Sequence, residues 1–157
     1  MKIVLLCVGK TSESYLESAN TIYLKRLQHY YKTDLQVIPD LKKVTNMSVD
    51  ERKKKEGELI IKQLEAGDRV VLLDEKGKDF TSRQFSSYLE KIAVSGAKRL
   101  VFVVGGAFGF SDDVYALASG KVALSKMTFS HQMVRLFFLE QIYRACTILN
   151  NEPYHND

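Results

Sequence analysis

Short, continuous apolar runs alternate along this chain with longer stretches in which apolar residues return every three or four positions. The first run, Ile3 to Val8, is rich in aliphatic residues and too short for a buried helix, so it predicts a buried strand. From Ser12 to Tyr31 the residues Tyr15, Leu16, Ala19, Ile22, Tyr23, Leu27 and Tyr30 fall at helical spacing, with Glu13 and Glu17 on the polar side. Asp34 to Ile38 alternates and predicts a second strand, closed by Pro39. After a polar connection from Lys42 to Met47, Ser48 and Glu51 form a capping-box pair that opens a charged helix ending near Leu64 and stopped by Gly67-Asp68. Arg69 to Leu73 predicts a third strand, and Asp74 to Asp79 a loop around Gly77. Thr81 with Gln84 opens a second capped helix, which Gly96 stops, and Arg99 to Val104 is a strongly apolar fourth strand. Ser111 caps a short helix reaching about Ser119, Val122 to Leu124 is a short fifth strand, and Ser130 caps a final helix from His131 to Leu149.

Strands alternating with helices predict an α/β fold, a mainly parallel sheet with helices on both faces. The 157 residues show no repeat, low-complexity segment or linker, so a single domain over 1–157 is expected. The final helix carries apolar residues nearly all round its circumference, from Met133 to Leu149. Such a helix needs partners on more than one side. The sheet supplies one, and the other predicts a two-fold homodimer interface. Glu140 and Arg144 have the spacing of a surface ion pair. Arg135 lies on the opposite side of the helix, and in so apolar a setting Arg135 and Arg144 are candidates for anchoring RNA phosphates or the dimer.

Composition narrows the class. With 45% hydrophobic and 27% charged residues the chain is an ordinary globular one. No apolar run approaches the roughly 20 residues that span a membrane, and the opening run is too short for a secretory signal. Cys7 and Cys146 have no nearby partners and read as core residues in a reducing compartment, so a cytoplasmic protein is expected. The net charge of +4 permits a polyanionic partner. Lys42, Lys43, Arg52, Lys53, Lys54 and Lys55 form one basic stretch and Lys76, Lys78 and Arg83 another. These are either solvated faces or a landing strip for RNA. His29, His131 and His155 lack metal-ligand spacing, and no metal is expected.

The chemistry concentrates in the last third. Gly105-Gly106-Ala107-Phe108-Gly109 follows a strand, which is where open α/β sheets bind ligands. The spacing matches neither a dinucleotide fingerprint nor a P-loop. The helix that follows begins Ser111-Asp112-Asp113, and its two carboxylates occupy the electropositive end where a phosphate would sit. A ligand with a positive centre and no phosphate, such as S-adenosylmethionine, suits the turn; a tight turn with ordinary capping acids is the alternative. In the next loop, Leu124, Met127 and Phe129 either wall an adenine pocket or plug the core.

These words in this order, from Lys2–Gly9 through Gly105–Gly109 and Ala123–His131 to Pro153-Tyr154-His155, resemble the SPOUT-class RNA methyltransferases. The resemblance covers nearly the whole chain and is nearest to the small ribosomal large-subunit pseudouridine N3-methyltransferases. It implies a C-terminal trefoil knot, a homodimer, S-adenosylmethionine as methyl donor and 23S rRNA of the large subunit as substrate. It also implies cofactor contacts at Leu73, Gly105, Gly106, Gly109, Leu124, Ser125, Lys126, Met127, Thr128 and Phe129, several through main-chain atoms. Tyr154 and His155 become candidates for holding the target base, and His155, His131 or solvent for taking its N3 proton. Two positions depart from the family: Ala107 replaces a proline or serine, and Asn156-Asp157 replaces a terminal basic residue. A basic dimeric RNA-binding protein without catalysis is the alternative function.

Overall fold

The computed structural model describes residues 1–156; Asp157, the second residue of the altered terminus, lies outside them. Five strands, β1 (Lys2–Val8), β2 (Lys32–Ile38), β3 (Arg69–Asp79), β4 (Arg99–Val104) and β5 (Gly120–Ala123), form one parallel sheet in the order β2-β1-β4-β3-β5. Five helices connect and cover it: α1 (Ser14–Leu27), α2 (Val49–Lys62), α3 (Ser82–Val94), α4 (Asp112–Leu117) and α5 (Met133–Leu149). The predicted α/β sheet with helices on both faces is the architecture observed. No described helix is long and apolar enough to cross a membrane.

Strand alternation sorts the core into two layers. Ile3, Leu5, Cys7, Leu100, Phe102 and Val104 point to the face covered by α1, α3 and α5, where Leu27, Phe85, Leu89, Phe138 and Ile142 meet them. Val4, Leu6, Val8, Val101 and Val103 point to the other face, against Ile60 of α2 and Val114 of α4. β1 and β4 are buried on both faces, which is why their sequences are continuous apolar runs. Cys7 and Cys146 lie in this core, and burial pushes each thiol up to about 12, so neither is a nucleophile at neutral pH.

Both predicted capping boxes form. Ser48 Oγ accepts from the Glu51 amide and Glu51 accepts from the Ser48 amide; Thr81 and Gln84 repeat the exchange. Several predicted boundaries shift by a few residues, β5 for example running Gly120–Ala123 where Val122 to Leu124 was expected, and two differences change the assignment. The expected loop Asp74 to Asp79 belongs to β3, which breaks register between Leu73 and Lys78 and then resumes pairing with β5. Gly77 permits this, because a Cβ there would lie 2.6 Å from the Val122 backbone. The final helix begins at Met133 instead of His131. Ser130 Oγ accepts from the Met133 amide, but residues 130–132 form a separate turn, held where Gln132 bonds Ser12.

α2 crosses the start of α4 at Gly57, whose missing side chain admits Ser111. Replacing Gly57 by valine raises intrinsic helix propensity slightly but forces Ser111, the N-cap of α4, out of place. Overpacking outweighs propensity, so the variant is expected to lose about 1–3 kcal/mol. A thermal melt checks this, and an unchanged midpoint would contradict the close packing.

Candidate active site at the C-terminal edge of the sheet

All five strands are parallel, so their following loops gather along one edge. The chain leaves β1 through α1 on one face and leaves β4 through α4 on the other. β1 and β4 are hydrogen-bonded neighbours. Their loops therefore diverge and open a crevice, the switch point at which open α/β sheets bind ligands.

Two concavities lie along this edge. The first, of about 410 Å³, is lined by Phe80, Phe85, Leu124, Phe129 and Phe138, with Thr81, Ser82 and Gln141 as its polar groups. Apolar walls with a few polar groups are the usual make-up of a small-molecule site. The second, of about 200 Å³, lies at the switch point between Val8, Asp40, Arg52, Glu56, Gly106, Phe108 and His131.

The predicted cofactor residues divide between these places. Leu124 and Phe129 line the first cavity, and Gly106 lines the second. Leu73 packs against the core cluster that also holds Leu124. Ser125, Lys126, Met127 and Thr128 form an outer loop in which the Met127 amide donates to Ser125 Oγ and Met127 itself is 77% exposed. Gly105 and Gly109 line neither cavity but shape the turn between them. Gly109 has φ +80 and its amide donates to the Gly106 carbonyl; at Gly105 a Cβ would meet the Phe110 ring at 3.0 Å. Ala107 sits exposed at the tip, so this departure from the family leaves the turn closed.

The C-terminal tail is pinned down. Tyr154 packs edge-on against Tyr143 of α5, under the Arg144 guanidinium, and its hydroxyl donates to Glu140. Arg144 bonds Glu140 at 2.6 Å and lies 3.3 Å from His155 Nδ1. Tyr30 of the α1–β2 turn donates to Glu152. Burial and the adjoining Tyr23 and Glu140 push the Tyr154 hydroxyl well above the ordinary phenol range. His131 is exposed at the second cavity, in a different cluster from Tyr154 and His155.

A family model described as predicted SPOUT methyltransferase matches residues 1–155. The chain belongs to the SPOUT methyltransferase family. It is 61% identical, over the full length of both chains, to the ribosomal RNA large subunit methyltransferase H of Parabacteroides distasonis. Identity to the proteins of the same name is 57% in Christiangramia forsetii, over 99% of each chain, and 51% in Bacteroides thetaiotaomicron, over the whole of each.

As a SPOUT methyltransferase the protein is an enzyme that uses a methyl-donor cofactor. One assignment needs correction. Arg135, a candidate RNA contact, is wholly buried: its guanidinium donates to the Val8 carbonyl, to Thr11 Oγ1 and to the His131 carbonyl. All of its nitrogens are engaged inside the SPOUT domain, and none reaches a phosphate. The second side of α5 is also partly covered within the chain, since Tyr23 and Tyr30 of the α1 region pack on Tyr143. Sequence reasoning did not single out Glu56 and Asp40, which line the second concavity from a charged helix and a loop. No group of three or more His, Cys, Asp or Glu placed to hold a metal occurs among the described residues.

Proposed function

We propose that the chain transfers the methyl group of S-adenosylmethionine to N3 of a pseudouridine in 23S rRNA of the large ribosomal subunit, acting in the cytoplasm as a homodimer with a C-terminal trefoil knot. The full-length similarity to relatives named ribosomal RNA large subunit methyltransferase H carries the reading. The site's composition supports it. Aromatic and aliphatic walls at Phe80, Phe85, Leu124 and Phe129 suit an adenosine, while Thr81, Ser82 and Gln141 offer hydrogen bonds to its polar edge. The Gly105–Gly109 turn leaves the main chain open to close approach. Tyr15 and Ile22 of α1 with Met133 and Phe137 of α5 are exposed apolar residues suited to a second copy.

The donor, when bound, supplies an already activated methyl group. Leu73, Gly105 and Leu124 through Phe129 would hold it, with the aromatic walls of the first cavity beside its adenosine. The remaining tasks are to extract the base from its RNA stack, orient N3 and accept its proton. Tyr154 and His155 hold the base, with Arg144 and Glu140 keeping that tail in place, and His155, His131 or solvent takes the proton. The basic stretch along α2 and the lysines Lys76 and Lys121, which line a further concavity, attract RNA phosphates.

Calorimetric titration tests the reading. The purified protein should bind S-adenosylmethionine and neither ATP nor NAD, and should then transfer labelled methyl groups to large ribosomal subunits. A folded protein that binds none of the three, even with ribosomes added, would instead be the RNA-binding alternative.

A further inference from the structure

Chain ends fray unless something ties them down, and this end carries Tyr154 and His155, the pair assigned above to the target base. Asn151 adopts φ 54, the left-handed conformation that asparagine tolerates, and turns the chain out of α5. The Glu152 amide then donates to the Thr147 carbonyl, and the Glu152 carbonyl accepts from the Tyr154 amide. Pro153 stands at the centre of this three-residue turn, where its ring fixes φ. The chain thereby doubles back, and Tyr154 comes to lie on Tyr143 and Glu140 of α5. Glu152 is the corner of the reversal, with both of its backbone groups engaged in making it.

The side chain at that corner is held from a different part of the fold. Tyr30, in the turn between α1 and β2, donates from its hydroxyl to Glu152 Oε2 at 2.6 Å. A hydrogen bond to an ionised acceptor is shorter and stronger than a neutral one. The donor is also preorganised. The Tyr30 ring meets Tyr143 edge-on with centroids 6.0 Å apart, and Tyr154 packs on the same Tyr143 at 4.8 Å. Arg26 of α1 places its guanidinium 5.5 Å from the centre of that Tyr143 ring. Tyr30 therefore touches both the corner of the tail and the ring on which the tail rests. Tyr23 adds a longer contact, its hydroxyl 3.5 Å from that of Tyr154.

We propose that Tyr30 is a positioning residue for methyl transfer: through Glu152 it fixes the corner from which Tyr154 and His155 project. This role rests on the reading in which those two residues hold the target base. Tyr30 itself touches neither substrate nor donor. Misplacing a group that orients a reactant by about 1 Å can lower a rate by about 100-fold. The Tyr30–Glu152 bond is exposed to water, so its loss loosens the tail without releasing it, and the effect is smaller.

The test compares wild type with Tyr30→Phe, Glu152→Gln, Glu152→Ala and the double variant Tyr30→Phe/Glu152→Ala. Methyl transfer to large ribosomal subunits, donor affinity by calorimetry, thermal melting and amide hydrogen exchange by NMR are measured for each. Phenylalanine keeps the ring on Tyr143 and removes only the hydroxyl. Tyr30→Phe should lower kcat/KM roughly 3–10-fold, the range for one ordinary hydrogen bond. Exchange at the Glu152 and Tyr154 amides should speed up by a similar factor, while donor affinity and the melting midpoint stay unchanged. Glu152→Gln, whose amide oxygen still accepts, should lose less than Glu152→Ala. The double variant should be no worse than Glu152→Ala alone, because both changes remove the same bond. Unchanged exchange in the tail, additive losses in the double variant, or a matching loss of donor affinity would each overturn the proposal. A Tyr154→Ala protein as active as wild type would fail the reading of the tail as the base-holding element. It would overturn the proposal from that side, even where exchange shows Tyr30 pinning the tail.

Discussion

Arg135→Met is expected to lower the unfolding free energy by about 3 kcal/mol and to weaken binding of the methyl donor. Arg135 sits in α5 with no exposed surface and no carboxylate partner within ion-pair distance among the described residues. Its charge is spread over oxygens of Val8, Thr11 and His131. Two effects oppose each other. Methionine relieves the cost of burying a cation, but it leaves these acceptors without donors, one of them, the Val8 carbonyl, buried in the domain. Because only one side of the interaction is replaced, the second effect wins. The same three bonds tie the end of β1 to the loop before α5, which follows directly on Leu124 through Phe129. Losing them frees that loop, so donor affinity falls with stability. Arg135→Lys should recover little, since one ammonium cannot reproduce the three-way fork. Urea unfolding and calorimetry check both effects; an unchanged urea midpoint at equal slope would show that Arg135 does not hold the loop.

Gly105→Val is expected to abolish binding of S-adenosylmethionine while the protein stays folded. A Cβ at this position stands 3.0 to 3.3 Å from three atoms of the Phe110 ring. Phe110 is only 3% exposed and belongs to the core layer under α2 and α4, so it cannot swing away cheaply. The turn must shift instead, and with it the main-chain groups that would face the cofactor. Overpacking at one site costs about 1–3 kcal/mol, which a domain of this size should survive, and circular dichroism verifies that it does. Gly105→Ala should show the same direction with a smaller loss. Unimpaired donor binding by the valine variant would remove Gly105 from the cofactor site.

Much of this molecule was legible because it is local. The capping boxes at Ser48–Glu51 and Thr81–Gln84 involve residues three apart, and both form. β1 and β4 announce themselves because strands buried on both faces must be apolar throughout. The glycine turn and the Leu124–Phe129 loop were found at the sheet's C-terminal edge by pattern and resemblance, and the structure puts Leu124 and Phe129 in a cavity there. What local pattern hides are properties created by distant neighbours. Asp74 to Asp79 reads as a polar loop, yet it continues β3 because β5 pairs with it. Glu56 reads as one charge on a solvated helix, and only the arrival of Gly106 gives it a cleft.

By itself, then, the sequence determined the strands, the capped helices, the parallel α/β class and the membership that its motifs express. Each of those depends on forces between residues a few positions apart, or on a periodicity that repeats along one element. Tertiary structure alone decided that Arg135 is an internal tie and not an RNA contact, that the tail docks on Tyr143 and Glu140, and that Glu56 faces the switch point. Arg135 reaches Thr11 and Val8 across 124 and 127 positions of chain. Whether a charged side chain ends in water or among carbonyls is settled by such long-range closures, and no periodicity along the chain encodes them.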